Sequence, residues 1–230
     1  MLPYFRLSPE AGVSQDIVAA PVATGEPPAT GLFMADDRAP IVRRRVDGSR
    51  ETRLARWGMP SPCRELRARA VQRAYRTGQD ATGVDFEQLV ANEPDVGAPF
   101  IDASAMVWGP WLEPAGRCVV PFSAFGWADV GESDMPAGDH LFPPSPSVGF
   151  LAGVHETDWQ GVRRAECGRE TLDLFGLVSV ERIVRSEMGK RVLTPIVLTD
   201  AAEVELWLTA PWKQAKALRR KPLRDAVPAT

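Results

Sequence analysis

Prolines and glycines are spread through the whole sequence, and this distribution limits the folds open to the chain more than any other feature. The 230 residues include 21 prolines and 19 glycines. A proline in a helix interior removes a backbone hydrogen bond and clashes with the preceding turn, so long uninterrupted helices are excluded over much of the chain. We therefore predict short strands joined by many irregular connections rather than a helical bundle.

Three apolar segments predict the centre of a sheet. They are rich in β-branched and aromatic residues, as buried strands are. Their sequences are CVVPF (118–122), GFLAGV (149–154) and LFGLVSV (174–180). The polar, proline-rich segment 132–147 between the first two predicts a surface loop.

A fourth region predicts a β-hairpin that carries many arginines. The segments PIVRRR (40–45) and TRLARWG (52–58) are joined through Asp47-Gly48, a dipeptide typical of tight hairpin turns. This pairing would place Arg43, Arg45, Arg53 and Arg56 on neighbouring strands. The sequence thus predicts a local concentration of positive charge.

Helical patterns are few. Residues 63–77 have apolar residues on one side, arginines on much of the rest, and Gly78 as a terminator. The arginines favour either a solvated helix face or a helix that contacts phosphates. Residues 84–95 predict a second short helix. Asp200 and Glu203 form a capping box before a helix that would bury Val204, Trp207 and Leu208, and a basic helix follows Pro211.

Composition and charge exclude several classes of protein. The net charge of −3 and the pI of about 5.5 argue against a bulk electrostatic DNA binder, although a local basic patch is compatible with them. No apolar run has the length of a membrane span, and the first residues do not resemble a secretory signal. We expect a cytoplasmic protein with one α+β domain over residues 1–230, with a peripheral tail at about 216–230.

Cysteines and histidines do not indicate a metal site. Cys63, Cys118 and Cys167 are widely spaced, and no two of them form a Cys-x-x-Cys pair. The two histidines, His140 and His155, have no metal-ligand spacing. We expect neither a metal nor a cofactor. Cys118 and His155, both in apolar strands, are expected to be structural.

The stretch ARWGMPSP (55–62) is open to two interpretations. It holds no residue capable of acid, base or nucleophilic chemistry, and it follows the arginine-rich hairpin. Trp57 beside these cations could offer a stacking surface to a nucleic acid. It could equally be a core residue at the end of a strand.

Five stretches in order give the sequence a family resemblance. They are ARWGMPSP (55–62), WLEPAGRCVVPFSAF (111–125), FLAGVHETDW (150–159), LDLFGLVSV (172–180) and TPIVLTDAAEVELWLTAPW (194–212). Together they resemble the SRAP family (SOS-response-associated peptidases, or abasic-site processing proteins). The resemblance implies a single compact domain of twisted, barrel-like β-sheet with flanking helices. It also implies a positively charged groove for single-stranded DNA and a link to the response to DNA damage.

The same resemblance implies a reaction that this sequence lacks the residues to perform. In the family, a cysteine at position 2 becomes the N-terminal residue and forms a thiazolidine with the sugar of an abasic site, supported by an asparagine, a glutamate and a histidine. Here position 2 is Leu2, the glutamate falls at Gly126 or Trp127, and the histidine falls near Lys190. No asparagine or arginine occupies residues 99–102, where the asparagine motif falls.

Three hypotheses about function follow from the resemblance and these losses. The first is a degenerate member that binds single-stranded DNA through Arg45, Arg53, Arg56 and Trp57 without forming crosslinks. The second is a residual enzyme that forms a Schiff base through its α-amino group or Lys190. The third is a scaffold or partner-binding module on the same fold.

Overall fold

The structure, a computed structural model, describes residues 2–8, 30–78, 86–95, 97–128, 149–183 and 191–220. The strands are β1 (Leu2–Leu7), β2 (Gly31–Met34), β3 (Arg38–Arg44), β4 (Arg50–Trp57), β5 (Phe100–Asp102), β6 (Arg117–Phe122), β7 (Ala124–Ala128), β8 (Gly149–Val162), β9 (Arg169–Ile183), β10 (Arg191–Pro195) and β11 (Val197–Leu198). The helices are α1 (Cys63–Thr77), α2 (Phe86–Ala91), α3 (Ala201–Thr209) and α4 (Trp212–Ala215), with 3-10 turns at Met106–Leu112, Pro114–Gly116 and Lys216–Arg220.

Five strands close into a mixed barrel. They follow the order β9-β4-β3-β6-β8, and β8 pairs with β9 to complete the ring. The pairs β3–β4, β3–β6, β6–β8 and β8–β9 are antiparallel, whereas β4–β9 is parallel. Strands β5, β10 and β11 extend this sheet, and β2-β1-β7 form a separate three-stranded sheet. The α+β class predicted from the sequence and the barrel-like sheet implied by the family resemblance are confirmed.

The local predictions for this sheet are also confirmed, except that the predicted placement of Arg45 on a strand was wrong. CVVPF, GFLAGV and LFGLVSV are strands whose described side chains are buried. The hairpin pairs Arg43 with Glu51 and Arg44 with Arg50, and the Asp47-Gly48 turn connects the two strands. Arg45 lies in that turn rather than in a strand, because its backbone N–H bonds to Ser49 and closes the loop.

The apolar core has two parts, one inside the barrel and one outside. Inside, alternate residues of the strands pack with Phe5, Leu7 and Phe33 from the small sheet. The outer part lies beneath α3, α4 and the 3-10 turn at Met106–Leu112, and Trp207 is fully buried there. Leu218 packs against this outer part, so residues 216–220 contact the domain. The small sheet covers one end of the barrel, the end that holds Trp57 and Phe122.

The start of α3 follows the predicted capping box with one variation. The Asp200 carboxylate accepts a hydrogen bond from the Glu203 N–H at 2.8 Å. The Glu203 carboxylate bonds back to the N–H and hydroxyl of Thr199, one residue before the cap. Val204, Trp207 and Leu208 are buried, as predicted.

Helix α1 ends at Gly78, which has a left-handed φ of 68°. Three of its arginines pair with carboxylates from the following segment: Arg67 with Glu87, Arg69 with Asp95, and Arg73 with Glu93. These ion pairs fasten α1 to α2 and to the segment after it. These three arginines therefore bind carboxylates of the same protein. Arginines on a solvated face, or on a face that contacts phosphates, would not be paired in this way.

Candidate functional site

The start of the chain is built into the small sheet, next to strand β7. Strand β1 runs between β2 and β7, and its register pairs Leu2 with Ala128, Pro3 with Trp127 and Tyr4 with Gly126. The structure therefore places Leu2 and Trp127 on neighbouring strands, one residue apart in register. In the sequence, only the family resemblance connects these two positions. The side chains of these two residues and the whole of Lys190 lie outside the described part.

Asp36 emerges at the same end of the small sheet as Leu2. Tyr4 pairs with Met34 in the antiparallel register of β1 and β2. Leu2 lies two residues before Tyr4, and Asp36 lies two residues after Met34. Because the strands are antiparallel, both residues lie towards the same end of the sheet. Asp36 has a left-handed φ of 75°, a conformation that aspartate tolerates better than most residues.

Three arginines surround the Asp36 carboxylate. Its Oδ2 lies 3.3 Å from Nη1 of Arg56 and 2.7 Å from Nη2 of Arg164, and its Oδ1 lies 3.8 Å from Nε of Arg163. Arg56 also donates from Nη1 to the Asp36 carbonyl at 3.0 Å. The Arg164 side chain is about half exposed, whereas that of Arg163 is fully buried. Three guanidinium groups therefore face this one carboxylate. Asp95 and Glu170 also act on the charge of Arg163, and Glu166 acts on that of Arg164.

The Arg163 guanidinium packs closely against two glycines, Gly58 and Gly97. Its guanidinium donates to the carbonyls of Asp95 and Gly58 and lies over the Trp159 ring. A Cβ on Gly97 or on Gly58 would overlap the guanidinium, and both glycines have a positive φ. Burial lowers the pKa of Arg163, and the carboxylates of Asp95 and Asp36 oppose that shift. The group is therefore held as a cation by its partners.

The three residues Arg56, Trp57 and Gly58 have separate structural roles. Arg56 pairs with Asp36, and Gly58 makes room for Arg163. Trp57 is fully buried; its indole N–H donates to the Pro99 carbonyl at 2.9 Å, and its ring stacks on Phe175. Trp57 therefore has no face open for stacking a base. Of our two interpretations, core packing is the one that matches its position.

The other two predicted DNA-contacting arginines lie at the opposite end of the barrel. Arg53 faces the barrel interior two residues before Ala55 on β4, and its guanidinium lies 3.2 Å from Asp173. Arg45, in the hairpin turn, lies 3.7 Å from Glu51, which also pairs with Arg43 at 2.6 Å. The four residues predicted to contact DNA therefore do not form one surface. Arg45 and Arg53 lie at this polar end of the barrel, Arg56 lies in the Asp36 cluster, and Trp57 lies in the core.

Cys118 and His155, which we expected to be structural, are both buried. We expected His155 to have its hydrogen bonds satisfied, and this was wrong, because no described group forms a hydrogen bond with its ring nitrogens. Burial raises the pKa of the Cys118 thiol, so this cysteine is an apolar core residue with little nucleophilic character. His155 is also buried, and its pKa is lowered to about 4, first by burial and then by the charge of Arg43. Histidine at this position is neutral near pH 7.

Comparisons with known proteins identify the fold. No family model matches the sequence, and no curated protein matches it. A crystal structure of a protein from Bordetella bronchiseptica aligns with a TM-score of 0.61 at 16% identity, over 95% of this chain and 94% of that chain. A phage-related protein from the same organism aligns with a TM-score of 0.54 at 16% identity, over 97% of this chain and 90% of that chain. The chain shares the fold of these Bordetella proteins.

The described residues contain neither a membrane-spanning helix nor a cluster of metal-ligating side chains. No helix there has the length and apolar character needed to cross a membrane. No group of three or more His, Cys, Asp and Glu side chains is placed to hold a metal ion within the same residues.

The acidic centre of the cluster, Asp36, and two of its arginines, Arg163 and Arg164, were not predicted from the sequence. Asp36 follows a short strand in ADDRAP and carried only a turn signal. Arg163 and Arg164 follow β8 as an isolated pair, far from Asp36 in sequence. Only the pairing of distant strands brings them together, and no local pattern encodes that pairing.

Proposed function

We propose that this chain is a divergent member of the SRAP family that binds single-stranded DNA reversibly and has lost the family's crosslinking chemistry. We place the binding surface, called the Asp36 edge, at the end of the small sheet that carries the Leu2–Ala128 pair and leads towards Asp36, with Arg56 and Arg164 beside it. The observation that carries the proposal is the pairing of Leu2 with Ala128 and of Pro3 with Trp127. This pairing places Leu2 close to Trp127, and the family resemblance assigns these two positions to one reaction centre.

Charge at this edge supports a nucleic-acid ligand. Three guanidinium groups gather around one carboxylate, and that of Arg164 is open to solvent. Arginine forms bidentate hydrogen bonds with phosphate oxygens, and such contacts supply most of the sequence-independent affinity for nucleic acids. A chain with a net charge of −3 would bind DNA only through such a local patch.

The proposed loss of the crosslinking reaction follows from Leu2 and from the position of Cys118. A stable thiazolidine needs an amine and a thiol on the same residue, and Leu2 supplies no thiol. An amine alone forms a Schiff base, which water hydrolyses. Cys118 cannot substitute, because it is fully buried inside the barrel and its pKa is raised by burial.

Salt-dependent binding to a labelled single-stranded oligonucleotide tests this proposal. We expect Arg164→Gln to weaken the binding and to reduce its salt dependence by about one counterion, since one phosphate contact is lost. The matched control is Arg76→Gln, which removes an exposed cation from the last turn of α1. Arg56→Ala should weaken the binding as well, but Arg56 also bonds to the Asp36 carbonyl and is less suited as a surface probe.

Three outcomes would point elsewhere. Undetectable binding at low salt by the unmodified protein would favour the scaffold hypothesis. Equal losses for Arg164→Gln and Arg76→Gln would show that the Asp36 edge is not the binding surface. A crosslink to abasic DNA that appears only after reduction with borohydride would support the amine-only enzyme, and Lys190→Ala would then identify the reactive amine.

A further inference from the structure

The polar end of the barrel holds a cluster of charged groups that the proposed function does not use. Three cations, Arg43, Arg45 and Arg53, meet two carboxylates, Glu51 and Asp173. All five belong to the hairpin β3–β4 or to β9. If His155 is neutral, the cluster has one positive charge in excess.

His155 is buried close to two of these cations, Arg43 and Arg53. Only 6% of its surface is exposed, and within the described residues no group forms a hydrogen bond with Nδ1 or Nε2. The Ala115 carbonyl is close enough to favour the protonated ring, without reaching hydrogen-bonding geometry. A buried polar side chain without a partner is rare, and where it occurs it calls for a functional explanation.

The three arginines of this cluster differ in how much of each side chain is exposed to solvent. The Arg45 side chain is 54% exposed, that of Arg53 is 38% exposed and that of Arg43 is 19% exposed. An anion that approaches from solvent would therefore meet the more exposed guanidinium groups first and the imidazole N–H last. Neutral imidazole has one donor to offer, and Arg53 has further N–H donors besides the one that faces Asp173.

The backbone of β8 is irregular beside this cluster. The pairing of β8 with β9 shifts between Glu156 and Trp159, and Asp158 has a left-handed φ of 55°. The Asp158 N–H donates to Asp173, which fixes the carboxylate that faces Arg53. Bulges of this kind are common at the rims of barrels and beside binding sites.

We propose that Arg43, Arg45, Arg53 and His155 form a binding site for a small oxyanion of the phosphate class at the polar end of the barrel. The excess positive charge matches one monoanion, and the N–H of His155 gives it a buried hydrogen bond. This site is separate from the Asp36 edge, because it lies at the end of the barrel opposite to the small sheet. It does not depend on the DNA-binding proposal.

The two histidines of the chain make the test direct. Nuclear magnetic resonance of the imidazole groups of the full chain follows His155, with His140 as an internal reference. We expect inorganic phosphate to shift the His155 resonances saturably and to raise the pKa of His155, because an anion would offset Arg43 and Arg53 and add to Asp173. Arg53→Gln should weaken this binding by about tenfold or more, since one charge-assisted hydrogen bond is lost.

Two variants protect the test against a failure to fold. Arg45→Gln changes the most exposed of the three cations and should weaken phosphate binding while leaving the barrel intact. Arg76→Gln on α1 should leave it unchanged. If phosphate at tens of millimolar causes no saturable shift of His155, or if both Arg53→Gln and Arg45→Gln bind phosphate normally, the proposal is overturned.

A second titration identifies the source of the oxyanion. An oligothymidylate that shifts His155 at lower concentration than inorganic phosphate would identify a phosphodiester as the ligand of this site. A shift with inorganic phosphate alone would identify a free phosphate. Oligonucleotide binding that is lost with Arg164→Gln and leaves His155 unshifted would belong to the Asp36 edge.

Discussion

The guanidinium of Arg163 lies directly against Gly97, with no space between them for a Cβ. Arg163 is fully buried and bonds to the backbone carbonyls of Asp95 and Gly58, so it cannot move aside without breaking these contacts. The segment around Gly97 is thereby held against the end of β4. This contact positions Arg163 beside Asp36, at the centre of the proposed DNA-binding edge.

Gly97→Ala should therefore destabilise the protein more than a glycine replacement usually does. Gly97 and Gly78 have similar left-handed φ values, 73° and 68°, but no atom lies within 4 Å of a Cβ on Gly78. Gly78→Ala should cost about 1–2 kcal/mol from backbone strain alone, and Gly97→Ala about 1–3 kcal/mol more from the overlap. Urea denaturation of the two variants measures the difference. Equal costs would show that Arg163 adjusts freely.

Arg117 should be among the residues most important for stability. It is fully buried and donates to the carbonyls of Leu112, Trp207 and Ala210, at 2.6, 2.7 and 2.7 Å. Two of these carbonyls lie at the end of α3, so the guanidinium caps that helix. Burial lowers the pKa of Arg117 to about 10, which leaves it charged near neutral pH.

Replacing Arg117 by methionine should lower the free energy of unfolding by about 3–5 kcal/mol, because buried carbonyls lose their donor. Arg117→Lys keeps the charge but loses the planar fork, and we expect a smaller loss. Lys213→Ala, an exposed cation on α4, is the control and should change stability by less than about 0.5 kcal/mol. A cost for Arg117→Met as small as the control would contradict this account of α3.

His155 should make stability fall as the pH falls. Its pKa is lowered in the folded state from 6.5 to about 4, so between these values the unfolded chain binds a proton that the folded protein does not. The titration of His155 does not affect the free energy of unfolding above pH 6.5. As the pH falls towards 4, protonation of His155 in the unfolded chain lowers it by up to about 3 kcal/mol. Chemical denaturation across this range should be flatter for His155→Gln than for the matched variant His140→Gln. Parallel profiles for the two variants would refute the shift.

The sequence predicted the parts of the fold that depend on local patterns. The hairpin at Asp47-Gly48, the capping box at Asp200 and the left-handed end of α1 at Gly78 each rest on a few adjacent residues. The barrel-like sheet was expected from the family resemblance rather than from any pattern. The parallel pairing of β4 with β9, which helps to close that barrel, joins Trp57 to Phe175 across more than half of the chain.

The candidate sites were harder to predict because they join distant segments. Trp57 carried no signal to separate a stacking surface from a core position, since both favour a tryptophan beside cations and prolines. Its burial follows from contacts with Phe5, Phe100 and Phe175, which three other strands supply. The cations of α1 suggested a binding surface, but Glu87, Glu93 and Asp95 neutralise three of them within the protein.

One measurement tests the central claim most directly. A labelled single-stranded oligonucleotide with one abasic site is mixed with the full chain, and the same sample is run on a native gel and on a denaturing gel after heating. We predict retardation on the native gel, from reversible binding at the Asp36 edge, and free oligonucleotide on the denaturing gel, because Leu2 brings no thiol to the start of the chain. A band that survives heating without a reductant would contradict the account, and so would an oligonucleotide that migrates freely on both gels.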